Sequence, residues 1–246
     1  MTAAPDIFVL STPGELFRAA ANEFVTRASE AIAKRGRFCV ALSGGSTPKS
    51  LYSLLAENAS LPWTKIYFFW SDERHVPPTD SESNYRMAQE SLLAKVPVPP
   101  DHIFRVRAEE KDAEAAAREY EHAIAAFFAL QAGELPRFDL ILLGLGPDGH
   151  TASLFPGSAA LKETERLVVA NWVEKFKTYR ITFTYPVLNS AACVMFLASG
   201  LEKAGMVHQI LEDPSAGLPA QGVLPENGQV LWMLDAAAAS ALQHLA

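Results

Sequence analysis

An aspartate and a histidine separated by one glycine, Asp148 and His150, stand in the stretch GLGPDGHTASLFPG, directly after the apolar run FDLILL. A carboxylate can hold one imidazole nitrogen and raise the basicity of the ring, leaving the other nitrogen to take a proton from water. At this spacing on a helix the two side chains would not share a face. On a loop hinged by Gly146 and Gly149 they can meet, so the stretch reads as a candidate base and its orienting carboxylate. The bland alternative is a loop histidine with no chemistry. Ser153 is a weaker candidate, as a nucleophile for the same histidine, because it lies only three residues on and no GxSxG elbow occurs.

Other stretches have the same character. Ser43-Gly44-Gly45-Ser46-Thr47-Pro48 follows RFCVAL. Glycines admit a ligand close to the backbone, a helix N-terminus offers free N–H groups, and Pro48 suits a first helical turn. The loop is either a phosphate cradle or an N-capped turn; it matches neither the Walker nor the GxGxxG spacing. Asp72, Glu73, Arg74 and His75 follow KIYFFW. Arg74 could bind phosphate or stabilise an oxyanion, or the run could be a solvated turn; His75 is expected to pack or face water. Lys203 follows ACVMFLA near a helix start, where a cation opposes the helix dipole unless it meets an anion. Arg180, in the apolar run YRITFT, is either an edge residue or a charge aimed into a cleft.

The elements that must carry these residues alternate along the chain. Strands are expected at DIFVL, RFCVAL, KIYFFW, FDLILLGL, RLVVA, YRITFT, ACVMFLA and QVLWML. Helices are expected at 16–34, 48–57, 84–94, 113–131, 202–211 and 236–245. Such alternation predicts an α/β fold with a mostly parallel sheet covered on both faces. Ligands of such sheets bind beyond the carboxyl ends of the strands, which is where the four loops fall. Backbone donors, Arg, Lys and an Asp/His pair together describe a site for a phosphorylated small molecule undergoing proton transfer.

Bulk composition narrows the classes. The 246 residues are 49% hydrophobic and 20% charged, ordinary for a globular enzyme, and no repeat or linker divides them, so one unit over 1–246 is expected. A net charge of −7 argues against nucleic-acid partners and anionic membranes. Cys39 and Cys193 lie in apolar runs and are expected to be buried, reduced thiols. No CxxC or HExxH occurs, so no metal site is expected. MTAAPDIFVL has no secretory character and no run is long enough to span a bilayer, so the expected location is the cytoplasm.

Longer stretches resemble the 6-phosphogluconolactonase family across nearly the whole chain: ALSGGSTPKSLY, FFWSDERHVPPTDSESNYRMA, FDLILLGLGPDGHTASLFPG, YRITFTYPVLNSA, FLASGLEKA, LPAQGVLP and LWMLDAAAA. The resemblance implies a Rossmann-like three-layer sandwich, shared with glucosamine-6-phosphate deaminase and ribose-5-phosphate isomerase relatives. It implies hydrolysis of 6-phospho-D-glucono-1,5-lactone in the oxidative pentose phosphate pathway, with no cofactor and no metal, by a monomer or homodimer. It makes His150 the base, Asp148 its orienting partner, Arg74 an oxyanion or substrate residue and Asp72 a shaping residue of the same pocket. Ser43, Gly44, Gly45, Ser46 and Thr47, with Lys203 and Arg180, would hold the phosphate, and Asn84 would play a supporting part. The deaminase is the nearest rival, but its pattern places a glutamate where Phe155 stands here. A non-catalytic sugar-phosphate sensor would need a DNA-binding module, for which the chain has no spare basic segment. A degenerate paralogue would have no use for the retained Asp72, Arg74, Asp148 and His150.

Overall fold

A computed structural model describes residues 4–244. In chain order the elements are β1 (Asp6–Leu10), α1 (Pro13–Arg35), β2 (Phe38–Leu42), α2 (Ser46–Ala56), β3 (Ile66–Trp70), β4 (Asp72–Arg74), α3 (Asn84–Ser91), α4 (Ala113–Phe128), β5 (Leu140–Leu143), β6 (Val168–Val173), β7 (Thr178–Phe183), α5 (Tyr185–Ser190), β8 (Cys193–Ala198), α6 (Ala204–Glu212) and β9 (Gln229–Asp235). Six strands form a parallel sheet in the order β1-β9-β8-β5-β2-β3, flanked by helices. Every residue of β2, β5 and β8 is buried, the reason these strands are apolar throughout rather than alternating.

A second, antiparallel sheet, β4-β7-β6, takes two of the expected strands away from the main one. Its β4 is the run Asp72–Arg74, which reads in the sequence as a polar strand end. Charged residues favour strands poorly, and the pairing with β7 that overrides this is a tertiary contact. The small sheet is held by aromatic side chains: Phe183 of β7 lies 5.4 Å from Phe138, just before β5, and 6.0 Å from Tyr120 of α4, ring centre to ring centre. Such pairs add about 0.5–1.5 kcal/mol each beyond the area they bury. The Tyr120 hydroxyl also accepts from Trp70 N at 2.7 Å and donates to Trp70 O at 3.0 Å. It thereby satisfies the end of β3 where the chain turns into β4.

The helix expected over 236–245 is absent. Residues 236–241 form turns, and residue 245 lies outside the described residues. The Asp235 carboxylate caps a first turn by taking the N–H of Ala238 at 2.7 Å, and Ala239 N donates to Asp235 O at 3.0 Å, but the N–H groups of Ser240 and Leu242 bond only three residues back, so the chain continues as turns. The short helix α5 was not signalled by periodicity; at six residues it is under two turns. Cys39 and Cys193 are free and buried, and burial pushes both thiols up to about 12. Among the described residues no helix is long and apolar enough to cross a membrane.

Candidate active site

A cleft of 270 Å³ opens beyond the carboxyl ends of β2, β5 and β8 and against β4 of the small sheet. It brings together Ser43, Gly44, Gly45, Ser46, Thr47, Asp72, Arg74, Asn84, His150 and Lys203. Of the candidate residues, Asp148 and Arg180 stand outside its lining.

The first wall is the loop after β2. The buried Tyr52 hydroxyl accepts from Ser43 N at 3.0 Å and donates to Ser43 O at 2.8 Å, giving the strand end the partners it lacks. The chain then turns through Gly45 at φ 110° into α2, whose N-terminus has no side-chain cap. Its first N–H groups are therefore available to an anion. Ser43 Oγ is buried beside them without a partner.

The second wall follows β5. His150 Nδ1 lies 2.5 Å from Asp148 Oδ1. An ionised carboxylate only accepts, so the shared proton belongs to Nδ1, and in the neutral ring the lone pair is then on Nε2. Burial raises the Asp148 carboxyl, but the hydrogen bond and charge of His150 outweigh it and hold it below the usual carboxylate range. The turn is closed by Gly146 N donating to His150 O at 2.9 Å and Thr151 Oγ1 donating to Gly144 O at 2.9 Å. A Cβ on residue 146 would fall 2.0 Å from His150 Nδ1, so only glycine leaves room for the ring. Phe155 stacks on the imidazole with ring centres 4.1 Å apart. Ala152, also in the lining, holds φ 45°, a conformation uncommon for a residue with a Cβ.

The third wall is the small sheet. Asp72 is buried; its Oδ2 accepts from Ser153 Oγ at 2.6 Å, and Asn84 Nδ2 donates to Asp72 O at 2.9 Å. Ser153 is therefore committed to Asp72, consistent with its poor standing as a nucleophile. Glu73 points the other way, accepting from Arg74 N, Asn84 N and Tyr85 N at 2.8 Å each. Burial holds its carboxyl above the usual range although those N–H groups pull it down. Arg74 donates from Nη1 to Glu82 O at 2.7 Å, and its Nε is buried without a partner. His75 bonds Glu110 O at 2.6 Å and takes no place in the lining.

Arg180 pairs in register with Arg74 across the central strand β7, so it is not an edge residue. It is only 8% exposed, its Nε is unpartnered, and its guanidinium packs 5.4 Å from the Phe176 ring. Burial first, and Arg74 second, pull its pKa below the usual arginine value. The fourth wall follows β8: Lys203 Nζ donates to Leu145 O at 2.9 Å, and Ser199 and Glu202 join the lining beside it.

Tyr52 and Ser199 carry no signal in the sequence, and Ser153 reads there only as a weak nucleophile and not as the partner of Asp72. Tyr52 and Ser153 reach their partners across 9 and 81 residues of chain, and neither partnership leaves a pattern in the sequence.

A parallel sheet with a polar, mixed-charge cleft at its carboxyl edge is the architecture of an α/β enzyme. The family model described as glucosamine-6-phosphate isomerases/6-phosphogluconolactonase matches residues 11–232, and the chain belongs to that family. A 6-phosphogluconolactonase of Synechocystis sp. is 43% identical over 235 residues, 94% of this chain and 96% of the relative. One of Nostoc sp. is 42% identical over 221 residues, 89% and 90% of the two chains. The solved 6-phosphogluconolactonase from Trypanosoma cruzi superposes with a TM-score of 0.88 at 34% identity, covering 99% of both chains.

Proposed function

We infer that the cleft hydrolyses 6-phospho-D-glucono-1,5-lactone to 6-phosphogluconate. His150 Nε2 takes a proton from water as the water oxygen bonds to C1. The carbonyl oxygen becomes an oxyanion, which Arg74 stabilises. Collapse breaks the C1–O5 bond, and the imidazolium returns its proton to O5. Asp148 holds the ring and the charge it gains. The phosphate lies on the N-terminus of α2, with Ser46, Thr47 and Lys203, and its binding energy positions the ring for attack. Asp72, an acceptor fixed by Ser153, faces the sugar hydroxyls, and Asn84 supports it.

The observation that carries this reading is the His150–Asp148 pair on the cleft wall with Phe155 stacked beneath the imidazole. Ring opening in the deaminase calls for a carboxylate at that place, and an apolar ring cannot carry a proton. The matching relatives bearing the lactonase name support the same reading. A lactone is an activated ester, so one base, one oxyanion stabiliser and one anchor suffice, contributing about 10²–10⁴-fold and 10²–10³-fold from the first two.

The test is turnover of freshly generated 6-phosphogluconolactone by purified protein, with the spontaneous rate subtracted and glucosamine 6-phosphate run in parallel. Faster lactone loss without ammonia release is expected. Ammonia release without lactone acceleration would overturn the reading in favour of deaminase chemistry.

A further inference from the structure

Asp235 closes β9 and is 1% exposed, yet no cation pairs with it among the described residues. A buried carboxylate is costly unless donors surround it. Here they come from two segments. One is the turn after β9, through Ala238 N at 2.7 Å. The other is the loop after β8, through Ser199 Oγ at 2.5 Å and Gly200 N at 3.1 Å. The sheet dictates the meeting: Ala198 pairs in register with Leu234, so the next residues of the two strands, Ser199 and Asp235, emerge side by side. Burial raises the Asp235 carboxyl, and the donors of Ser199, Ala238 and Gly200 outweigh it, so it lies below the usual carboxylate range.

The loop so held is the one that presents Lys203. Gly200 sits at φ 102°, and its carbonyl accepts from Lys203 N at 3.0 Å. That φ strains any residue with a Cβ, so the turn calls for glycine. Ser199, Glu202 and Lys203 all reach the cleft, whereas Asp235 does not. The geometry points to Asp235 as a positioning residue for ligand phosphate: through Ser199 and Gly200 it sets where the Lys203 ammonium stands. This rests on the reading of Lys203 as a phosphate residue.

The experiment is a double-mutant cycle of Asp235→Asn and Lys203→Ala, read on 6-phosphogluconolactone and on unphosphorylated glucono-1,5-lactone. Asp235→Asn is expected to raise KM for the phosphorylated lactone about tenfold, the scale of one charge-assisted hydrogen bond, with kcat unchanged. Turnover of the unphosphorylated lactone should not move. The double variant should have the KM of Lys203→Ala alone, because the first change acts through the second. Additive effects, or equal losses on both lactones, would overturn the proposal and make Asp235 merely structural. If Asp235→Asn does not fold, Asp235→Ser, which keeps one acceptor outside the cleft lining, enters the same cycle. A Lys203→Ala enzyme with wild-type KM for the phosphorylated lactone would instead refute the phosphate assignment itself, and the positioning role with it.

Discussion

His150 Nδ1 stands 2.5 Å from Asp148 Oδ1, while Phe155 lies 4.1 Å from the imidazole, centre to centre. One contact fixes the tautomer and the other fixes the plane of the ring. Asp148→Ala removes the first and leaves the second. Its turnover of the lactone is expected to fall on the order of 10²-fold, with KM little changed. A variant with wild-type kcat would mean that Phe155 and the turn orient the ring without the carboxylate.

The same pair has a signature in stability. The native pKa of Asp148 lies below its unfolded value, so its contribution is complete above the unfolded value of about 3.9. It is lost as the pH falls through the depressed native value. The gap in thermal midpoint between wild type and Asp148→Ala should be open near neutral pH and narrow below about pH 4. A gap independent of pH, measured by calorimetry, would contradict the ionic origin of the contact.

Gly146→Ala places a methyl group 2.0 Å from His150 Nδ1, and the ring must leave Asp148 to make room. A displacement of that size at a reacting group costs on the order of 10²-fold in rate. The fold should persist, because residue 146, although buried, lies on a loop lining the cleft and in no strand or helix. Circular dichroism and lactone turnover, measured together, separate this from general unfolding.

Arg180 is a buried cation without an ion pair among the described residues, set beside Arg74. Replacing an uncompensated buried charge by an apolar side chain removes a desolvation cost. Arg180→Met is therefore expected to hold or raise the thermal midpoint. A lower midpoint would show that the guanidinium contributes to stability in this chain.

Much of the fold and cleft was legible because two signals are local. Continuous apolarity marked β2, β5 and β8, and glycine, proline and charge marked the loops beyond them. The residues that align the site were not legible, since their partners lie far off in sequence: Ser153 serves Asp72 across 81 residues and Ser199 meets Asp235 across 36. The small sheet was hidden for the same reason, because Asp72–Arg74 becomes a strand only where β7 pairs with it. The alanine run after Asp235 misled in the opposite sense: helix propensity is local, and although Asp235 caps a first turn there, the N–H groups that follow bond three residues back as turns.

The central claim is that the imidazole on the cleft wall moves the proton of the attacking water. The most direct measurement is kcat of His150→Ala on freshly generated 6-phosphogluconolactone, beside wild type and with the spontaneous rate subtracted. A fall of about 10²–10⁴-fold with an unchanged thermal midpoint is the predicted result. Near-normal turnover by a folded variant would contradict it and assign the base to another group of the cleft.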